Sequence, residues 1–355
     1  MSRTRALIVA GIAGLLAIAG AGAAAAAAPP AAAPHWHIVE SVKTTAFDFT
    51  AVVATGKTTG WAFGGNNPDA APTAWQRNGA AWTKVAFPGV KDDNVVYAAA
   101  TSPANVWAFA NNPFGTASQV LHWAGAKWSA VKTFKGAIGG ATVLGASDVW
   151  VYGETIPTGL GVWHYNGHVW TEVGKNFDGG SALSDTSVWA FLGTNVEHWN
   201  GHTWTATSVK KLLPPVIPGP LNFPAVTGIL AVSATNVWAV GNGDAQDEGG
   251  PMVVLHYNGT VWSRVAEGGV GYGTGQQISL DGSGGLWIPE PGAEGAASFM
   301  LHFTGGKLVK ITLPQKTDAV TVARIPGTSE QLAGGYVPNP KVTGAPTAAV
   351  ILQYS

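Results

Sequence analysis

Segments of strand length recur along most of this chain in groups of four, and each group carries tryptophan at fixed places. The second-strand tryptophans, 61, 107, 150, 189, 238 and 287, are spaced 39 to 49 residues apart, and parts of one further group stand at the two termini. Together these observations predict an all-β fold, a seven-bladed β-propeller with four-stranded blades, its ring closed by the N-terminal strand pairing with the C-terminal blade. Composition agrees with short strands and tight turns: 11% charged residues, 46% apolar residues, 48 Gly, 22 Pro and 16 Trp.

Residues 1–28 are expected to be a signal peptide. Arg3 and Arg5 make a basic start, residues 6–18 carry no charge, and the small residues 20–28 offer cleavage sites before Pro29-Pro30. The rival reading, a retained membrane anchor, is disfavoured by the Ala and Gly richness of the segment. Residues 29–34 then form an Ala/Pro linker, and residues 35–355 a single propeller. The expected localisation is secreted or envelope-associated, with no membrane span in the mature form. With no cysteine, such a chain relies on packing alone.

The units follow in order. Trp36-His-Ile-Val39 is a strand with nothing before it to pair with. The first unit has Gly60-Trp-Ala-Phe-Gly64, Ala74-Trp-Gln-Arg-Asn-Gly79 and Trp82-Thr-Lys-Val85, and the next five repeat that frame around Trp107, Trp150, Trp189, Trp238 and Trp287. The seventh begins at Gln331-Leu-Ala-Gly-Gly335, ends at Ile351-Leu-Gln-Tyr-Ser355 and lacks its outer strand, which the orphan at Trp36 supplies. A four-stranded blade is apolar on both faces and cannot bury itself, and a ring of blades leaves no greasy end. The Asn-Gly pairs at 78–79, 166–167, 200–201 and 258–259 mark hairpin turns.

Units of the form Ser-x-x-Asn-Val-Trp-Ala-Val-Gly and Leu-His-Trp-Asn-Gly-x-x-Trp resemble the Trp-rich propeller repeats of secreted bacterial proteins, relatives of the kelch, galactose-oxidase-like and BNR/sialidase-like propellers. Asp281-Gly-Ser-Gly-Gly-Leu-Trp287 is similar to the Asp-x-x-Gly-x-Leu-Trp turn of sensor-type propellers. The resemblance covers nearly all of residues 35–355 and implies a propeller without a single activity.

Candidate chemistry is what remains once the repeat is subtracted. All 16 Trp fall in the frame and are expected in the core between blades. His122, His164, His198, His256 and His302 share one third-strand position, one per blade, which fits strand residues bonded to a neighbouring blade and not a metal site. Arg324-Ile-Pro326 is similar to a sialidase tripeptide, but a carboxylate clamp needs three converging arginines. Beyond the signal only Arg77, Arg264 and Arg324 exist, on separate blades. Galactose-oxidase chemistry needs a cysteine that is absent. No metal, cofactor or catalytic set is expected, and a net charge of -1 offers no basic field for nucleic acid.

The variable links remain: 66–73, 111–118, 154–161, 242–252, 289–298, 336–348 and the Pro-rich 208–225, all expected on one face. Links on the opposite face have two to four residues. Asp244, Asp247, Glu248, Glu290 and Glu294 gather on two of the long links and are the candidate ligand-binding residues. Paired carboxylates suit a glycosidase and a larger set Ca²⁺, whereas the nearby glycines fit a solvated rim. The expectation is a non-enzymatic, monomeric propeller binding a protein or an envelope or extracellular glycan through this face. A secreted glycoside hydrolase or lyase using the acidic loops is the alternative.

Overall fold

The computed structural model describes residues 33–65, 70–154, 159–215, 223–243, 250–271, 277–290, 299–342 and 345–355. The expected signal peptide lies outside them. His35–Ser355 forms one compact unit, and no described helix is long and apolar enough to cross a membrane.

Alternating apolar strands of two to ten residues, cut by Gly- and Asn-bearing turns, pair in sequence order. Six four-stranded antiparallel sheets span 48–85, 94–135, 138–174, 179–208, 225–271 and 279–312. The seventh takes three strands from 318–354 and its fourth from Trp36–Lys43, which pairs antiparallel with Pro346–Tyr354 from Trp36↔Tyr354 to Lys43↔Ala348. The chain is therefore a seven-bladed propeller whose ring is closed by its own N-terminal strand. Two single-turn 3₁₀ helices, Lys210–Leu212 and Pro314–Lys316, interrupt links between blades.

The period of two along each second strand sends large side chains toward the next blade and small ones toward the previous. Trp61 and Phe63 pack on Trp123 and Trp128 of blade two, while Ala62 faces blade seven. The alternation repeats around the ring, with blade six sending Leu286 and Ile288 back toward blade five, and seven apolar clusters fill the seven interfaces. No Trp is exposed. At the joint between blades six and seven, Trp36 of the closing strand meets the edge of Trp287 at 5.4 Å.

Polar groups link the inner strands across joints. Thr50 Oγ1 donates to Val95 O (2.7 Å), and Asn111 both donates to and accepts from the backbone of Ile138 (2.9 Å each). Gln277 reaches further: its amide donates to Val96 O of blade two (3.1 Å) and accepts from the Thr321 hydroxyl of blade seven.

The recurrent histidines differ from expectation. Each bonds within its own blade, because register places it directly opposite the second-strand Trp. The rings stack at 4.0–4.3 Å between centroids. Nε2 then reaches a polar side chain beside the turn that precedes that Trp: Asn105, Asp148, Ser187, Asn236 or Asp281. Burial holds His122, His198 and His256 below the ordinary imidazole value, which favours the neutral ring that the indole stack accepts. Gln76 occupies the same register opposite Trp61 in blade one, and Gln353 stands opposite Leu332 in blade seven.

The Asn-Gly turns form as expected, with Gly79, Gly167, Gly201 and Gly259 at φ of 67°, 90°, 93° and 93°. In blade six Asp281 accepts from the backbone of Ser283 and Gly285 and from His302, so this Asp-Gly-Ser-Gly-Gly turn is structural.

Candidate functional site

Antiparallel alternation puts two sets of links on one face: those entering each first strand and those joining second to third strands. The other face carries short hairpins, with 281–285 and 325–330 as its longer members. The long-link face is thus where the chain departs most from its repeat.

Of the acids expected there, Asp244, Asp247, Glu248 and Glu294 lie outside the described residues. Glu290 is not on a loop. It ends the second strand of blade six, pairs with Phe299 and is fully buried. Pro289 precedes it inside the strand, which is tolerated because the first strand of that blade, Ser279–Leu280, is too short to require its missing N–H.

Carboxyl groups that the repeat frame did not single out stand at this face. Asp48, Asp93, Asp178 and Asp318 recur at the entry to a first strand. Burial pushes the Asp48 carboxyl up to about 6, and burial then Asp92 raise Asp93. Burial followed by the charge of Asp178 raises Glu154, and burial, with Asp318 and Asp48 nearby, raises the Tyr336 phenol. At Asp48, Asp93 and Glu154, then, burial outweighs whatever stabilises the charged carboxylate.

A cleft of about 540 Å³ opens at this face where the link before blade two meets the second hairpin of that blade. One wall is the turn at Val90–Asp93, held by Asp92 N–H to Ala70 O (3.0 Å) and Asp93 N–H to Val90 O (3.2 Å), with Asp92 left-handed at φ 69°. The other is the link 112–116, where Asn112 Oδ1 accepts from the N–H of Thr116 (2.9 Å) and of Ala117 (3.2 Å). That self-bonded loop displays Phe114, 78% exposed, opposite Val90, 51% exposed. Buried Gln119 and exposed Thr133 also line it. The sequence signal that would have found the cleft is Asp92-Asp93, an acidic pair in a link of residues 86–93 outside the repeat frame.

Among the described residues no three metal-ligating side chains converge. The three arginines are fixed at separate places: Arg77 on Gln353, Arg264 on the carbonyls of Leu212 and Leu213, and Arg324 on Thr328 O of its own turn. They form no common clamp.

No protein-family model and no curated protein matches the sequence. Solved structures do. The WD40 β-propeller domain of Doa1 aligns with a TM-score of 0.60 at 12% identity, covering 90% of this chain and 97% of that one. YCF48 from Cyanidioschyzon merolae aligns at 0.55 and 13%, covering 90% and 98%. The GH74 enzyme of Niastella koreensis aligns at 0.53 and 12%, covering 84% of this chain and 52% of the enzyme. At such identities the likeness shows the propeller fold alone.

Proposed function

We propose that this protein is an exported, non-catalytic, monomeric propeller that binds a protein or an envelope glycan through its long-link face. The observation that carries this reading is a division of labour. Every Trp and every repeated His is engaged in packing within and between blades, whereas buried carboxyls and an exposed aromatic collect on the face whose links vary. Asp244, Asp247, Glu248 and Glu294, on links between second and third strands of blades five and six, are proposed to extend that contact surface.

Immobilised protein incubated with extracellular and envelope fractions, in parallel with a glycan array, tests the reading. We expect a retained ligand whose binding is lost on deleting 216–222 or on Phe114→Ala, and kept in His168→Ala and His202→Ala, both on hairpins of the opposite face. No ligand in either screen, or loss confined to the opposite-face variants, would refute it.

A further inference from the structure

Resting on that reading of the long-link face, we infer that the cleft between blades one and two receives a basic side chain of a protein partner, a lysine or arginine flanked by apolar residues. Three observations converge on this chemistry.

The first is uncompensated negative charge. Asp92 and Asp93 are adjacent, Asp93 is 6% exposed, and neither carboxylate has an ion pair or side-chain hydrogen bond among the described residues. Burial and the charge of Asp92 push the Asp93 carboxyl up, the sign expected where no cation sits beside it. The neighbouring Lys91 is an exposed residue.

The second is a buried acceptor with nothing to accept. Gln119 is 8% exposed, and its Oε1 is buried without a hydrogen-bond partner, as is Asp92 Oδ1. Gln119 shares a strand face with Leu121, which packs on the blade-one side, so its amide stands on the cleft side of the sheet. A donor entering the cleft would satisfy these buried oxygens. An ammonium brings three donors and a guanidinium five, and neither carries an acceptor. A polyol would bring as many acceptors as donors, and the unpartnered groups on this wall would match only half of them.

The third is the apolar rim. Phe114 and Val90 stand exposed on opposite lips. A basic residue in a peptide carries an aliphatic stem and apolar neighbours that these side chains would cover, and the Phe114 ring offers a cation–π face.

The test uses the purified chain and three tripeptides, acetyl-Leu-Lys-Leu-amide with its Glu and norleucine counterparts, and a neutral oligosaccharide (chitotriose), each followed by calorimetric titration and saturation-transfer NMR. The Lys peptide should bind, weaken with salt, and bind about tenfold more weakly to Asp92→Asn/Asp93→Asn. Asn keeps the left-handed conformation at 92, so the double variant should retain the native circular dichroism spectrum. Phe114→Ala should weaken the Lys peptide without removing its salt dependence. Equal affinity for the Glu or norleucine peptide, unchanged affinity in the folded double variant, or chitotriose displacing the Lys peptide would overturn the assignment. If the peptides fail while Phe114→Ala or the 216–222 deletion still abolishes capture of a ligand from the fractions, the cleft assignment falls alone. If capture fails too, the broader reading falls with it.

Discussion

Asp48 offers a quantitative test of the electrostatics at the long-link face. It opens the first strand of blade one, is 8% exposed, and its Oδ1 is buried without a hydrogen-bond partner. Burial lifts its carboxyl from 3.8 to about 6, against a smaller opposing effect of its own backbone. The native state therefore holds this proton more tightly than the unfolded chain does. The resulting stabilisation is fully present below pH 3.8 and is lost as pH rises through about 6. At 1.36 kcal/mol per pH unit, the ionised group lowers native stability by about 3 kcal/mol at neutral pH. Asp48→Asn removes the ionisation. Urea unfolding should show the variant more stable than the parent by about 2–3 kcal/mol at pH 7.5, with the difference vanishing toward pH 4 and the denaturant slope unchanged. Parallel stability curves for the two proteins between pH 4 and 8 would refute the reasoning, because a difference without pH dependence cannot come from this proton.

Three further outcomes are expected. His302→Leu leaves the carboxylate of Asp281, 4% exposed, without its Nε2 donor and should cost about 1–3 kcal/mol in chemical denaturation. His302→Gln should cost less, since glutamine holds this register in blades one and seven. Burial alone would raise the Asp281 carboxyl, but the bonds from His302, from Ser283 and from the Gly285 backbone hold it below its ordinary value. Its contribution is therefore present above about pH 4 and lost as pH falls below, opposite in sign to that of Asp48. Trp61→Ala empties the joint against Trp123 and Trp128 and should lower stability by about 3–5 kcal/mol in the same assay. Gly335→Ala places a Cβ onto the carbonyl oxygen of Asp318, so the strand must shift, and thermal melts should report a loss of about 1–3 kcal/mol.

Most of the architecture was legible because the repeat is carried by residues whose burial is non-negotiable. A tryptophan every 39 to 49 residues, an apolar neighbour two positions on and an Asn-Gly turn define strand, face and register together. The split seventh blade followed from one strand too few at one end and one too many at the other. What stayed hidden depended on distances between units. The histidines were read as reaching the next blade, when cross-strand register puts a Trp ring 4 Å away in their own. Glu290 looked like the start of a loop because Pro289 precedes it, and only the shortness of the adjacent strand explains why the proline stays in the sheet. Asp92 and Asp93 passed as an ordinary link, since neither composition nor spacing reveals that they share a cleft with Gln119.

The seam made by Trp36–Lys43 has a mechanical consequence. Trp36 lies opposite Tyr354, and His35 and Ser355 exchange backbone hydrogen bonds of 3.1 and 3.4 Å, so both chain ends leave the ladder at the same end. A force pulling the ends apart loads the rungs one pair after another, as in opening a zip, where opposite ends of the ladder would have shared the load across all of them. Once the His35–Ser355 pair has parted, resistance falls to Trp36, which must be drawn from its place against Trp287 and Tyr354 before the next rung feels tension. The ring is thus stiff against deformations that spare its ends and weakest against traction applied through them.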